Sequence, residues 1–505
     1  MERISATGAS ACRRMGRQFA LAGPLIAVCV LVAGCGITLR TPAHPESPTQ
    51  TVAAVPTDPY VKPDGKPVPL PASTEPLILD PGQTVVSITF DDGWASAATA
   101  AEIMTAHGLT GTFYANSGTI GRPNYLSLAG LKSIAASGQE VGGHSLTHPD
   151  LADLPGDEAR RQICDDRKTL LGWGFAVRNF AYPFGSATPE IEDMVRACGY
   201  NSARSLDELR PHRVAELPQR QHCQLCDVAE AVPPVDPMNT RAPREVEGDW
   251  TIADLEGQVE DAMAVGGWLP LTFHKLCTTD CTDASNQLPD SASVATPQAE
   301  FEDFVSWLAT QQSQGSVLVR TVGDVIGGPV QPAVAGPVAP PAPSGTNGVA
   351  NPALEEPGPD GVPACWARGG FGTNSPEFSL VPGAHSGATA SRLVMRDYVD
   401  GDAKLLQTMD LGTCAPAVSP GGTYTIQASY TATVPTAFSV QYRLARGIWV
   451  YGVSSPEFAP ATQFTAARWT LPPIPEGVTA VSFGLTLTQN GELVTDDYSL
   501  VAGTP

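Results

Sequence analysis

Two adjacent carboxylates and two closely spaced histidines are the residues whose types and spacing could do chemistry. Asp91 and Asp92 follow the apolar run 84–90, and His144 and His148 lie four positions apart further along the chain. Burying two carboxylates side by side is costly unless a cation compensates their charge. One carboxylate and two imidazoles form a ligand set that leaves room for a reactive water and a substrate oxygen. The pattern therefore predicts a metal site with a second carboxylate facing the substrate.

A third histidine, His274, ends the apolar run 268–274. A histidine at the carboxyl end of a barrel strand faces the mouth where active sites lie, and histidine suits proton donation near neutral pH. The four-residue spacing of His144 and His148 predicts that they share one face of a helix. Each pattern alone has a plain structural explanation, such as a turn or an exposed pair, but their occurrence together in one region favours the metal site.

Alternating strands and helices are predicted to position these residues. Apolar runs predict strands at 84–90, 111–115, 139–143, 177–182, 200–204, 268–274 and 316–320. Capping residues and apolar periodicity predict helices at 95–107, 189–198, 252–265 and 298–312. Repeated strand–helix units imply a parallel sheet, open or closed, and about seven units indicate a barrel short of eight strands.

Four segments in this region resemble the motifs of NodB-type polysaccharide deacetylases, carbohydrate esterase family 4. They are TFDDG at 89–93, HSLTH at 144–148, FAYPFG at 180–185 and LPLTFH at 269–274. The segments occur in the family's order with similar spacing, and the resemblance covers roughly 77–326. It implies an α/β fold, a distorted (β/α)7 barrel, in agreement with the strand count.

The resemblance also implies a role for each of the singled-out residues. Asp92, His144 and His148 would bind a divalent metal, usually zinc, although this ligand set accepts several first-row ions. Asp91 would be the general base that activates water, and His274 the general acid that protonates the leaving nitrogen. The implied reaction is hydrolysis of N-acetyl groups on a polysaccharide that contains N-acetylglucosamine, from a cell wall, a chitin-like polymer or an exopolysaccharide, with release of acetate.

The third motif carries a departure from the family. By resemblance, the backbone N–H of Phe184 helps to hold the oxyanion, and Tyr182 is placed with it as a residue for oxyanion or substrate binding. Many members have an Arg where this chain has Ala181, and that Arg positions the catalytic base. Arg241 and Arg204 are the alternatives here, and either could equally be a surface charge.

Two other functions are compatible with the motifs. The same family contains esterases that remove O-acetyl groups from glycans. A surface glycan-binding protein without catalysis is the second alternative. The complete set of two Asp and three His residues argues against that second function, because a descendant that had lost catalysis would be expected to lack at least one of them.

The charge balance excludes several partners. The chain has 30 Lys and Arg against 52 Asp and Glu, a formal net charge of −22. Phosphate binding needs clustered basic residues, so nucleic acid and anionic lipid surfaces are not expected partners. Only one apolar run approaches spanning length, which excludes a multi-span membrane protein. No protein partner is predicted.

The N-terminal segment resembles that of bacterial lipoproteins. Arginines precede the apolar stretch 19–33, which ends in small residues before Cys35. In such proteins this Cys is acylated, so 1–35 is predicted to be a signal peptide and 36–76, rich in Pro, a tether. The chain is then exported and held by lipid at the outer face of a bacterial cell membrane. A single transmembrane anchor is the alternative.

A second domain is predicted downstream. The segment 327–348 is rich in Pro, Ala and Gly and predicts a flexible linker, and 349–505 predicts an all-β sandwich. Its alternating runs predict strands at 423–431, 437–444, 480–488 and 493–501. Asn490 and Gly491 predict a hairpin between the last two.

The sandwich region diffusely resembles carbohydrate-binding modules. Tyr442, Trp449 and Tyr451 lie near its strands, where an exposed ring could stack on a sugar, or could equally pack in the core. This architecture predicts that a second domain holds the enzyme near its polymer.

Eight cysteines follow Cys35, an even number that predicts disulfides in an exported protein. Cys365 and Cys414 are alone in the last third of the chain and are predicted to pair. The other six allow 15 pairings and are Cys164, Cys198, Cys223, Cys226, Cys277 and Cys281. The last four could instead form a structural zinc site.

Overall fold

The computed structural model describes residue 68 and residues 74–212, 226–278 and 294–503. The predicted signal peptide with Cys35 and most of the predicted tether lie outside these ranges, as do Cys223 and Cys281. Within them, the helices are all too short or too polar to span a bilayer.

The N-terminal region, here called the barrel domain, is built on β1, a strand whose every residue is buried. Its strands are β1 (Thr84–Phe90), β2 (Gly111–Ala115), β3 (Glu140–Gly143), β4 (Asn179–Ala181), β5 (Ser202–Arg204), β6 (Gly267–Phe273), β7 (Lys275–Cys277), β8 (Ala295–Pro297) and β9 (Leu318–Val319). Its helices are α1 (Ala97–Ala106), α2 (Leu128–Ala136), α3 (Gly156–Gly172), α4 (Pro189–Ala197), α5 (Ile252–Met263), α6 (Gln298–Ser313) and α7 (Val322–Ile326). A strand that is apolar throughout is expected at the centre of a parallel sheet covered on both faces.

Seven of these strands form one parallel sheet in the described residues, in the order β5-β4-β3-β2-β1-β6, with β9 beside the first half of β1. The predicted strand–helix fold is confirmed. An irregular segment, 227–246, crosses the gap between β5 and β6. Thr240 bridges Arg204 on one side, and Glu230 bridges Trp268 on the other. The barrel is therefore distorted where a regular strand would complete it.

The predicted helices at 95–107, 189–198, 252–265 and 298–312 all form, with ends shifted by at most two residues. Thr251 caps the N-terminus of α5 in a capping box. Its hydroxyl accepts a hydrogen bond from the backbone N–H of Asp254, and the carboxylate of Asp254 accepts one from the backbone N–H of Thr251. The sequence pattern does not predict helix α3. Its buried face includes Arg161, Asp166 and Arg167, so it lacks the apolar stripe by which a packed helix is recognised.

Aromatic side chains fill the core beneath the carboxyl ends of the strands. The ring of Phe90 stacks on Phe113 at 5.3 Å between centroids and on Phe273 at 5.5 Å. Phe301 of α6 meets Phe90 edge-on at 5.3 Å. Since Phe90 directly precedes Asp91, this cluster supports the end of β1 on which the carboxylates stand.

The C-terminal region, here called the sandwich domain, consists of two antiparallel sheets. Their strands are β10 (Trp366–Phe371), β11 (Ser375–Val381), β12 (Ala390–Arg396), β13 (Asp402–Gln407), β14 (Tyr424–Ala432), β15 (Ala437–Leu444), β16 (Trp449–Ser454), β17 (Ala461–Thr470), β18 (Val478–Leu487) and β19 (Gly491–Ala502). The strand orders are β10-β13-β18-β15-β16 and β11-β12-β19-β14-β17, which confirms the predicted sandwich.

The predicted hairpin at Asn490 and Gly491 is wrong. Asn490 lies in the turn between β18 and β19 and Gly491 begins β19, but these strands belong to different sheets. The side chain of Asn490 accepts a hydrogen bond from the backbone N–H of Tyr398 at 2.9 Å. Turn-forming residues thus predict that the chain reverses direction, but they do not predict which sheet each flanking strand joins.

The segment 327–348 differs from the flexible linker that its composition predicts. Arg167 of α3 donates hydrogen bonds to the carbonyl oxygens of Gln331 at 2.8 Å and Pro332 at 3.0 Å. A chain rich in Pro, Ala and Gly leaves its carbonyl groups without secondary-structure partners, so arginine side chains can bind them. The segment consequently lies along α3.

Disulfides join several of the cysteines. Cys164 of α3 pairs with Cys198 at the end of α4, and the predicted pair of Cys365 and Cys414 is confirmed. Cys226 and Cys277 are disulfide-bonded as well. The alternative of a structural zinc site is therefore wrong, because oxidised cysteines have no thiolate to offer.

Candidate functional site

Asp92, His144 and His148 meet at the carboxyl end of the sheet. Their ligand atoms all lie within 4.8 Å of one another, and among the described residues they form the cluster that could hold a metal ion. The Oδ1 atom of Asp92 is 3.4 Å from Nε2 of His144 and 3.2 Å from Nε2 of His148. Asp92 Oδ1 and His144 Nε2 are buried and have no hydrogen-bond partner in the described structure. Orphaned atoms that converge in this way fit a divalent cation.

The two histidines come together on a loop, and the prediction that they share a helical face is wrong. Residues 144–148 contain no helix, and Ser145 and His148 have positive φ values of 66° and 62°. The hydroxyl of Ser145 accepts a hydrogen bond from the backbone N–H of His148 at 3.0 Å. The side-chain amide of Asn116 donates to the carbonyl oxygens of His144 and Ser145. A strained turn held by polar contacts thus replaces the helix.

The two imidazoles of the cluster differ in protonation. Nδ1 of His144 lies 2.7 Å from the carbonyl oxygen of Ala181, which can only accept, so Nδ1 carries a proton and Nε2 is the nitrogen that faces the cluster. Burial and the nearby His144 lower the pKa of His148 to about 4, so this ring is neutral at neutral pH. Burial would lower the pKa of His144, but the carboxylates of Asp91 and Asp92 outweigh it and raise that pKa. His148 therefore offers a lone pair directly, whereas a cation would displace a proton from Nε2 of His144.

Asp91 lies beside this cluster and is paired with Arg204. The Asp91 side chain is 2% exposed, and its Oδ2 accepts a hydrogen bond from Nη2 of Arg204 at 2.5 Å. Burial alone would raise the pKa of Asp91, but the charges of Arg204, His144 and His274 outweigh it and hold that pKa below its ordinary value. Asp91 is thus ionised, and its Oδ1 has no hydrogen-bond partner among the described residues.

Arg204 therefore occupies the position that the sequence left open between two arginines. Arg241 is not in the site, because its guanidinium pairs with Glu230 at 2.9 Å and Asp227 at 3.1 Å. Arg204 ends β5, just as the Asp pair follows β1 and His274 follows β6. Its place at a strand end was the signal in the sequence that favours it.

The third motif divides into an exposed and a buried residue. Phe184 lies in a tight turn after β4 with φ of 59°, its side chain is 67% exposed, and its ring meets that of His148 edge-on at 4.7 Å. Tyr182 is fully buried, and its hydroxyl donates to the carbonyl oxygen of Met238 at 2.7 Å. Its ring packs edge-on against that of Phe180 at 5.5 Å, so this side chain lies in the core and does not form the predicted contact with substrate.

His274 follows β6 directly beside Asp91. The parallel register pairs Phe90 with Phe273, and the backbone N–H of Asp91 donates to the carbonyl oxygen of Phe273 at 2.9 Å. His274 is half-buried, and its buried Nδ1 has no hydrogen-bond partner in the part of the chain that is described. The predicted acid and base are thus neighbours on adjacent strands.

Two residues that contact the metal-binding cluster, Trp94 and Asp166, are not predicted from the sequence. The indole N–H of Trp94 donates to Oδ2 of Asp92 at 3.0 Å, which leaves Oδ1 for the cation, and Tyr125 stacks on the Trp94 ring at 4.7 Å. Asp166 of α3 accepts the backbone N–H of His144 at 3.2 Å. Trp94 is only two residues from Asp92 and could have been noticed, whereas Asp166 is distant in sequence and carries no local signal.

Comparison with known proteins gives a consistent class for the barrel domain. A family model described as "Polysaccharide deacetylase" matches residues 79–203, a span that contains Asp91, Asp92, His144 and His148. The chitooligosaccharide deacetylase of Azorhizobium caulinodans is 35% identical over 124 residues, which are 23% of this chain and 56% of the relative. The chain thus spans about half the length of this curated relative.

Two solved structures match part of this chain at low identity. The deacetylase PplD of Streptococcus pyogenes, solved with acetate, is 21% identical over 24% of this chain and 56% of its own, with a TM-score of 0.24. A CE4 family pseudoenzyme from Bacillus anthracis is 15% identical over 49% of this chain and 66% of its own, with a TM-score of 0.30.

Proposed function

We propose that this chain is a metal-dependent hydrolase that removes N-acetyl groups from a polysaccharide containing N-acetylglucosamine and releases acetate. The observation that carries the proposal is the meeting of Asp92, His144 and His148 beside an ionised Asp91 that is paired with Arg204. A ligand set, a base and a neighbouring histidine acid in one site are what amide hydrolysis requires. The family match supports the same class.

The metal, zinc by resemblance, would be held by Asp92, His144 and His148, and when bound it would supply polarisation of the amide carbonyl and a more acidic water. Asp91 accepts a proton from the attacking water at its unpaired Oδ1, while Arg204 holds Oδ2 in place. The water oxygen then bonds to the acetyl carbon, and an oxyanion forms at the former carbonyl oxygen.

Collapse of this oxyanion breaks the bond between carbon and nitrogen. His274 donates a proton to the leaving nitrogen, so the sugar departs as a free amine and the acyl group as acetate. The backbone N–H of Phe184 is proposed to donate to the oxyanion, and the exposed Phe184 ring beside His148 would form one wall of the acetyl pocket.

Acetate release tests the reaction and its bond type together. Zinc-loaded protein is given N-acetylglucosamine oligomers and, separately, O-acetylated xylan oligomers. The wild type is expected to release acetate from the amide substrate, and Asp91→Asn to lose about 10²–10⁴-fold in rate because its base is gone. Asp153→Asn, a change at an exposed carboxylate outside the site, is the matched control.

Two outcomes of this assay would favour the alternatives. Release from the ester substrate alone would identify an O-acetyl esterase. Glycan binding without release from either substrate, with metal bound, would identify a non-catalytic glycan-binding protein.

A glycan-binding role is also proposed for the sandwich domain. A cleft of about 570 Å³ crosses the sheet β10-β13-β18-β15-β16, with Phe371 and Tyr451, 70% and 60% exposed, on opposite edge strands. Exposed rings above a polar floor that includes Lys404 and Gln441 suit stacking on sugar faces. Tyr442, by contrast, packs in the core.

Binding of the protein to insoluble glycans tests this cleft. Phe371→Ala and Tyr451→Ala are each expected to weaken adsorption to chitin or xylan about 2- to 10-fold, because a stacking surface is removed. Phe464→Ala, on the opposite sheet, is expected to have no effect. Equal adsorption by all variants would contradict a glycan site in this cleft.

We also propose export and lipid anchoring through Cys35, as the N-terminal sequence predicts. The disulfides of both domains support an oxidising compartment. The lipid would then be the only membrane contact.

A further inference from the structure

We propose that the sandwich domain positions the metal-binding loop, through the turn between β15 and β16. This inference rests on the proposed metal site, and it assigns a role to the residues Leu444–Ile448 beyond glycan binding. The turn is closed by two hydrogen bonds, from Leu444 to Ile448 and from Gly447 back to Leu444, each of 2.8 Å. It projects from the sandwich domain onto the barrel domain behind the two histidines.

The first contact is between Gly447 and Leu146, the middle residue of the loop 144–148. A Cβ on Gly447 would lie 3.1 Å from the Leu146 methyl groups and 2.9 Å from Leu411, and the φ of Gly447 is +87°. The close approach and the left-handed backbone both require glycine here. Leu146 is buried, so the sandwich domain forms part of the cover over the loop.

The second contact is polar and leads to the backbone of His144. Nη1 of Arg446 donates to the carbonyl oxygen of Ser117 at 2.7 Å, and its guanidinium lies over the ring of Trp173 at 5.9 Å. The N–H of Ser117 donates to Oδ1 of Asp166 at 2.8 Å, and Oδ2 of the same carboxylate accepts the N–H of His144 at 3.2 Å. The hydrogen bonds thus run from the sandwich domain to a metal ligand.

The loop needs such support because its backbone is strained. Ser145 and His148 both have positive φ, a conformation that persists only where the surroundings enforce it. The backbone of Leu146 is held on both sides, since it accepts from Gly118 at 2.9 Å and donates to Gln162 at 3.0 Å. Arg446 binds Ser117, the residue before Gly118, and Gly447 approaches the Leu146 side chain. Arg446 is therefore a positioning residue, and its effect should appear in the affinity for metal.

Cobalt binding to the full chain, followed by visible absorbance after removal of bound metal, measures this effect directly. Arg446→Ala is expected to raise the dissociation constant for Co²⁺ about 5-fold or more, because groups that orient ligands from outside the ligand set affect metal affinity. Arg446→Lys, which can still donate to Ser117, is expected to recover most of the affinity. Arg468→Ala removes the same charge from an exposed position on β17 and should bind as the wild type does.

Leu411→Val is the second variant, since it trims the apolar contact to Gly447 and keeps the polar one; a smaller loss of affinity is expected. Thermal unfolding shows that each variant is folded at the temperature of the titration. Wild-type affinity in folded Arg446→Ala and Leu411→Val would overturn this inference alone. Failure of the wild type itself to bind Co²⁺ would overturn both the inference and the proposed metal site, whereas loss of binding in Asp92→Asn locates the ion.

Discussion

Asp91 and Arg204 form a buried ion pair on which the proposed chemistry depends. Without the arginine, burial would raise the pKa of Asp91 and its base form would be lost in part. The pair also leaves Oδ1 of the carboxylate directed away from Arg204, where it can accept a proton from water. The arginine thus sets both the charge and the orientation of the base.

Replacement of Arg204 by Gln tests this dependence. We expect kcat to fall about 10²-fold, because the general base is misplaced, and stability to fall by about 3–5 kcal/mol, because a buried carboxylate loses its partner. The folded pKa of Asp91 should rise, so the acidic limb of the kcat/KM profile should move to higher pH.

Arg241→Gln is the matched control, because this arginine pairs with Glu230 and Asp227 outside the site. A pH profile that is unchanged in Arg204→Gln would contradict the role given to Arg204. An equal shift of the pH profile in Arg241→Gln would show that the effect is not specific to Arg204.

Helix α3 supplies several of the contacts that hold the site, although its sequence pattern does not predict a packed helix. Asp166 binds the backbone of His144, Arg167 binds the segment after the barrel domain, and Cys164 ties the helix to the end of α4. These buried polar residues are all satisfied by partners far away in sequence. A helix of this kind is expected to depend on its cross-links.

Removal of the Cys164–Cys198 disulfide tests the contribution of this cross-link. The bond joins residues 34 apart in sequence, a loop for which chain entropy predicts about 3–4 kcal/mol of stabilisation. The double variant Cys164→Ala, Cys198→Ala should therefore unfold at a markedly lower temperature in calorimetry. Alanine introduces no polar group at these two buried positions. An unchanged melting temperature would therefore contradict a stabilising role for the disulfide.

The regular elements and the motif residues could be predicted from the sequence, because each depends on local patterns. The apolar run of β1 and the capping residue Thr251 are examples. The fold of the loop 144–148, the contact of Asp166 with His144 and the sheets joined at Asn490 could not. Each of these depends on contacts between residues that are distant in sequence, which composition and periodicity do not encode.

At the scale of the whole molecule, the sandwich domain and the segment before it contact the barrel domain close to the site. The segment 327–348 lies along α3, and the turn around Arg446 contacts the loop that carries His144 and His148. The cleft between Phe371 and Tyr451 lies on the same domain. Glycan capture and support of the catalytic loop are therefore proposed to come from one module, which would keep the polymer close to a site that the same module stabilises.

The central claim is that a bound metal ion enables acetate release at this site. The most direct measurement is acetate release from N-acetylglucosamine oligomers before metal removal by a chelator, after it, and after zinc is restored. Activity should disappear with the metal, return with zinc in the wild type, and fail to return in Asp92→Asn. Full activity in protein shown to be free of metal would contradict the claim, as would unaltered activity in Asp92→Asn.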